Sequence, residues 1–508
     1  MIRVRAGFMP NLFAYMVLLG SPLIAVVLFR FLTLERALVW TIIGGHLFLP
    51  SSTFIKFPMI PTIDRALIPA VSAFVMCMLM APRMTLSFDG FSRAGRQVLY
   101  ILFALVIVTP VLTVLYNTEP IIDGRIFLPG LRLYDAWGLI SVILVAMIPL
   151  WLGIRYLNTP TGHRALLEIV AIGGLVYSLP ALVEIRLSPQ LHTWVYGFFP
   201  SDFVQHVRAG GFRPTVFLNH GLMLGIYLCM AIISAAVLYR EARREGRNAM
   251  GWLAAVVWMT VVLFLAKSLG AFVLAVLFAG FVLMFGRRFQ VWLGVVVAVI
   301  VLLYPMLRGA GWIPVDTAYN LALMVSEDRA ASLKFRLDNE DALLEKANLK
   351  PIAGWGSWGR NSLYDPETGD MTSITDGIWL IYIGVYGWLG YIGRFGLLTA
   401  PILLYALRRK SFGPSYITPG LIMVLSALLI DLLPNAGLVN YVWLMAGAVA
   451  GIVVWRPASA TLAAENGTAA SGAEPALPGG LRASWLMAEE TAPTEGRGTR
   501  SGHRGHRR

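Results

Sequence analysis

Apolar residues fall in long runs, near residues 11–30, 37–50, 65–81, 97–116, 135–154, 165–186, 215–239, 249–266, 270–285, 290–307, 376–406, 416–433 and 437–454, with short polar or basic joints between them. A helix crossing the hydrocarbon core of a bilayer needs about 20 such residues. The pattern predicts an all-α polytopic membrane protein with about 12 transmembrane helices (12–13 by run length), and the short run from Ala37 to Pro50 decides the number.

One stretch breaks this pattern. Between two apolar runs, Arg308 to Ile374 gives 67 residues with ten acidic and seven basic side chains, and aqueous chemistry is expected there. Within it, DRAASLKFRLDNEDALLEKA (Asp328–Ala347) reads as a helix in which Arg329, Leu333 and Arg336 share one face at intervals of four and three. Pro351 stops that helix, and Gly354, Gly356 and Gly359 in PIAGWGSWGRN let the backbone turn tightly beside Trp355 and Trp358. Their G-x-G-x-x-G spacing is not a dinucleotide fingerprint, because no strand or βαβ unit surrounds it. The chain thus divides into a membrane domain over 1–455, a large external loop with helical content inserted at 308–374, and a tail over 456–508. That tail, rich in Ala, Gly, Pro and Ser, reads as disordered and cytoplasmic, and its His503 and His506 as solvated side chains.

Composition agrees with the pattern. The 508 residues are 57% hydrophobic and 14% charged, with mean hydropathy +0.70, against about 25% charged in soluble globular chains. The first run follows the basic start MIRVR, but it lacks a small-residue cleavage site and reads as a retained span. Cys77 and Cys229 each lie inside an apolar run, so no disulfide framework or cysteine metal cluster is expected.

A net charge of +13 gathers in the short joints: Arg83, Arg93 and Arg96; Arg155 and Arg164; Arg240, Arg243, Arg244 and Arg247; Arg287 and Arg288; Arg408, Arg409 and Lys410. This marks cytoplasmic loops in contact with anionic membrane lipids, and no nucleic acid is called for. Alternation then places Asn117–Leu133, Ser188–Pro214 and the large segment on the opposite face. Three full spans before Arg83 would leave Arg3 and Arg5 outside, against the positive-inside tendency. A broken or re-entrant run from Ala37 to Pro50 removes that conflict and leaves about 12 spans. No internal repeat supports an inverted-repeat transporter.

Four charged residues fall at expected external positions: Arg213 in GGFRPTVFLNHG, Lys267 in FLAKSLGAF, Arg336 in the loop helix, and Asp376 in SITDGIWLIYIGVYGWLG. Charge beside hydrocarbon is costly unless paired or wet, which singles out Lys267 and Asp376, although snorkelling and helix capping would also account for them. Arg213 precedes Pro214, which suits the first turn of a helix, with His220 about two turns further in. Arginine presents a planar fork to phosphate oxygens, and a carboxylate nearby can accept a hydroxyl proton. Together they fit glycosyl transfer from a lipid diphosphate.

At these residues the chain resembles the O-antigen ligase and O-antigen polymerase superfamily of bacterial envelope glycosyltransferases. The resemblance covers roughly Gly211 to Gly396: an arginine before a proline (Arg213), the KSLGA turn, the run from Arg336 past Leu343 to PIAGWG, and Asp376 with the glycines of GVYGWLG. It implies an inverting, metal-independent transferase of the bacterial inner membrane, without cofactor, that takes an undecaprenyl-diphosphate-linked glycan as donor and a glycan as acceptor. Asp376 and Arg336 would be catalytic, and Arg213, Lys267, Arg329 and His220 would bind substrate. Ligases typically carry a histidine where this chain has Asp376, and the family often has an arginine where this chain has Leu269, so a polymerase is the expectation ahead of a ligase. A transporter or flippase of lipid-linked glycan is the rival class, and a chain-length regulator or other polysaccharide assembly protein is the implied partner.

Overall fold

In this computed structural model, residues 9–81, 90–208, 210–324 and 327–454 are described. The 456–508 tail, Arg3 and Arg5 lie outside them. The helices are α1 (Leu12–Phe31), α2 (Leu34–Phe48), α3 (Leu67–Met80), α4 (Gly90–Leu115), α5 (Leu133–Tyr156), α6 (Pro160–Leu187), α7 (Leu191–Tyr196) and α8 (Gly221–Arg244). They continue with α9 (Met250–Leu265), α10 (Leu269–Met284), α11 (Arg287–Gly309), α12 (Val315–Leu323), α13 (Glu327–Asn348), α14 (Ile378–Arg408), α15 (Ile417–Asp431) and α16 (Asn440–Val454). Two antiparallel ribbons decorate the loops: β1 (Ile121–Asp123) with β2 (Ile126–Leu128), and β3 (Val207–Arg208) with β4 (Gly211–Phe212). Ile121 lies opposite Leu128, and Val207 opposite Phe212.

Seven helices, α1, α4, α5, α6, α8, α11 and α14, are long and apolar enough to cross a membrane, and α3, α9, α10, α15 and α16 are apolar but shorter. This suits a multi-pass membrane protein. Their ends follow local chemistry. The Asn11 side chain accepts from the Ala14 amide (2.9 Å) to open α1, and Thr159 caps α6 with Pro160 in its first turn. Leu19, Leu23 and Val27 stay more than half exposed along α1, as on a face turned to lipid. Inside the bundle, small residues let backbones meet: a Cβ on Gly447 of α16 would stand 2.1 Å from the Leu150 carbonyl of α5.

The run from Ala37 to Pro50 forms one unbroken helix, α2. Arg36 pairs with Glu168 (2.8 Å), and the Leu47 carbonyl accepts from the Tyr177 hydroxyl (2.7 Å), so α2 runs unbroken and parallel to α6. At the start of α1, the Asn11 backbone and side chain donate to Tyr196 and Val195 (both 3.0 Å). The N-terminal end of α1 therefore sits with the 188–214 connection, while Arg30 and Arg36 flank the α1–α2 turn at the other end.

The bundle consequently has a loop end and a basic end. At the loop end, buried Arg360 donates to the Pro129 (2.7 Å) and Glu119 (3.1 Å) carbonyls, and the Arg125 amide donates to Pro366 (3.1 Å), so segments 117–133 and 308–374 interlock. At the basic end, Arg164 pairs with Glu241 (3.7 Å) and Glu245, Arg287 donates to the Gly413 carbonyl (2.7 Å), and Arg408 to Ser92 Oγ (3.0 Å). The described basic joints are thus segregated as their spacing predicts, and Arg83 lies outside the described residues.

One helix is interrupted. Gly387 in α14 has φ 69° and ψ −174°, and the PIAGWG turn fills the break. Trp355 N donates to Gly384 O (2.8 Å), Gly356 N to Val385 O (3.0 Å) and Trp388 N to Pro351 O (2.7 Å), pairing backbone groups that a break would otherwise leave bare. Gly354, Gly356 and Gly359 all have positive φ, the tight turning expected of them.

Candidate active site

Helix α13 carries the loop-end chemistry. Its apolar residues Leu343, Leu344 and Ala347 are buried, so the helix lies down on the bundle and one face is committed. Leu333, Arg336, Leu337 and Glu340 recur on that face at helical spacing. They wall a cavity of about 190 Å³ closed by Tyr304 of α11, Asp376, and Leu433 and Pro434 beyond α15.

Arg336 Nε lies 3.3 Å from Asp376 Oδ2, with the two side chains 47% and 35% exposed. The two residues expected to be catalytic are thus brought together. This is the one ion pair of Arg336 among the described residues, and the planar guanidinium carries further N–H donors that suit a phosphate. Capping does not explain Asp376: the cap position of α14 is Gly377, and the Asp376 carboxylate turns to Arg336 instead.

Two further residues join this site that the sequence reading passed over. Arg308, buried in the last turn of α11, pairs with Asp341 (2.8 Å), approaches Glu340 Oε2 at 3.8 Å and donates to the Leu337 carbonyl (3.3 Å). It fixes α13 against the membrane helices. Glu340 Oε2 has no hydrogen-bond partner among the described residues, and burial pushes the carboxyl up to about 7, with Arg308 drawing it down and Asp341 and Asp376 opposing that. The signal was there: Glu340 follows Arg336 by one helical turn, and Arg308 closes an apolar run. Buried Arg394, inside α14, was likewise passed over; its guanidinium lies 3.6 Å from the Tyr386 ring centroid and 4.9 Å from that of Tyr382. A lone arginine within an apolar run is itself the cue.

Arg213, Lys267 and His220 gather elsewhere, around the start of α8, and none lines the Arg336–Asp376 cavity. Arg213 does not open a helix. Thr215 and Val216 amides are held by buried Glu184 (both 2.7 Å), which keeps residues 213–219 irregular and delays α8 to Gly221. Arg213 itself is 9% exposed, rests its stem against Gly221 and donates to the Lys267 carbonyl (3.2 Å). His220, expected two turns into a helix, caps α8 instead: its Nδ1 accepts from the Leu222 amide (3.1 Å), and its ring centroid stands 4.8 Å from that of His206. Lys267 turns the α9–α10 corner at φ 56°, a conformation that costs a non-glycine residue about 1–3 kcal/mol. Arg329 belongs to α13, but its side chain lies outside the described residues.

Among the described residues no group of three or more His, Cys, Asp or Glu side chains is arranged to hold a metal ion. No protein-family model matches the chain, and no curated protein matches it.

Proposed function

We propose that this protein is a glycosyltransferase of the bacterial inner membrane that polymerises an undecaprenyl-diphosphate-linked glycan in surface-polysaccharide assembly, with the 308–374 segment periplasmic. The observation that carries the reading is the Arg336–Asp376 pair facing a cavity between α13 and the membrane helices, where a lipid-borne diphosphate and a water-borne sugar can meet. Arg336 binds the donor diphosphate through its guanidinium fork, and Asp376 takes the acceptor hydroxyl proton. Glu340, neutral below about pH 7, keeps the cavity from repelling the diphosphate. Arg213 and Lys267 add positive charge at the same end of the bundle, with His220 as the cap that shapes their loop. A chain-length regulator would act as partner, and neither metal nor cofactor is required.

The crossings in this reading number thirteen: the seven long apolar helices, the five shorter ones, and α2. An odd number puts the start of α1 and the end of α16 on opposite faces, and the basic joints, with Arg30 and Arg36 supplying the charge of the first turn, set the end of α16 on the inner one.

The test is reconstitution of the purified protein into liposomes with a lipid-linked oligosaccharide. Chain growth supports the reading. Transfer to a lipid A core acceptor without growth would make the protein a ligase, and translocation without any new glycosidic bond would make it a flippase.

A further inference from the structure

A second cavity lies at the opposite end from the candidate active site. It is about 510 Å³, sits between the starts of α11 and α15 and the end of α14, and is lined by Arg287, Arg288, Arg409 and Lys410 with Tyr405 and Phe412. No carboxylate lines it, and none of the four cations forms a salt bridge among the described residues. Elsewhere at this end Arg164, Arg244 and Arg247 are neutralised, all reaching Glu241 or Glu245. Four like charges around one hollow repel each other, and their arrangement calls for an anion.

The walls are built. Arg287 is anchored on the Gly413 carbonyl (2.7 Å) and Arg409 on that of Ala406 (3.0 Å), while the Tyr405 and Phe412 rings stack at 4.7 Å. Gly286, the cap residue of α11, has no side chain to take the first-turn amides, so a helix N-terminus adds to the positive field. Arg288 and Lys410 carry charge without such an anchor among the described residues.

An apolar track begins at the rim. Arg409 lies over the Trp292 ring (5.1 Å), and from Trp292 (50% exposed) the exposed face of α11 continues through Val296, Ile300 and Leu303 at helical spacing. A soluble phosphate would use the cations and ignore that track. A phospholipid uses both, with its headgroup in the hollow and its acyl chains along α11.

We propose that this pocket is a specific site for the phosphate groups of an anionic membrane lipid, best filled by one carrying two phosphates. It is independent of the glycosyl-transfer reading, and its occupant would brace α11 against α14 and α15.

Native mass spectrometry and thermal unfolding of the purified protein with cardiolipin, with phosphatidylethanolamine and with pyrophosphate test it. Cardiolipin should bind and raise Tm, phosphatidylethanolamine should not, and Arg288→Ala/Lys410→Ala should weaken cardiolipin at least tenfold. Arg243→Ala, a basic-end residue away from the pocket, should leave that affinity within twofold. Equal loss in Arg243→Ala, or an unchanged affinity in the double variant, would overturn the site. Binding of pyrophosphate alone, lost in the double variant, would support a phosphate site and overturn its lipid occupant.

Discussion

At the scale of the residue, the account rests on three side chains in one cavity. Arg336 pairs with Asp376 and offers a phosphate its planar fork, so Arg336→Lys retains charge but loses the fork. Loss of a charge-assisted hydrogen bond of about 1.5–3 kcal/mol should weaken donor affinity by about tenfold or more, read as KM for the lipid-linked donor with protein levels matched. Glu340 predicts a pH effect. Burial favours its neutral form and lifts the carboxyl from the ordinary 4.5 to about 7, so its stabilising contribution is complete below the ordinary value and is lost as pH rises through about 7. Glu340→Gln, neutral throughout, should gain Tm relative to the wild type between pH 5 and pH 8. In the same window wild-type KM should rise as Glu340 ionises and that of Glu340→Gln should stay flat. A rate that climbs through pH 7, and only in the wild type, would move the base role from Asp376 to Glu340.

At the scale of the element, the loop helix was legible almost to the residue, Asp328–Ala347 against Glu327–Asn348, because its charge spacing and Pro351 are local signals. The shared face of Leu333 and Arg336 was legible for the same reason. Its partner was not: the approach of Asp376 depends on how α13 lies on the bundle, set by Arg308 and the buried leucines, and no spacing along the chain encodes that. Similarly, Arg213–Pro214 looked like a helix start because the competing claim of Glu184 on the Thr215 and Val216 amides is made from another helix. The PIAGWG glycines announced a turn but not its insertion into α14. There Gly387→Ala should destabilise by at least about 1–3 kcal/mol, since its φ of 69° suits glycine alone and a Cβ would stand 2.4 Å from the Ile352 carbonyl. Thermal unfolding measures it, and an unchanged Tm would mean the break is not required.

At the scale of the whole molecule, the arginine joints anticipated which segments share an end, while the short second run left the number of crossings open. Taken alone, residues 37–50 are too few to span comfortably, and Arg3 and Arg5 argued for an inner N-terminus; the parallel packing of α2 on α6, with Arg36 on Glu168, is what favours the thirteen-crossing reading proposed above. Cysteine labelling in intact cells should therefore find Met9→Cys and Ser357→Cys accessible from one side and Gly246→Cys from the other. Labelling of Met9→Cys with Gly246→Cys would reverse the first helices.

The central claim is that glycosyl transfer occurs at the Arg336–Asp376 pair. Its most direct test is glycan chain extension by Asp376→Asn, which keeps the size and some hydrogen bonding of aspartate but cannot take a proton. If Asp376 is the base, turnover should fall by about 10²–10⁴-fold with Tm nearly unchanged. A half-exposed ion pair with no chemical role is worth about 0–1 kcal/mol of stability, so an Asp376→Asn enzyme that extends chains at the wild-type rate would contradict the account.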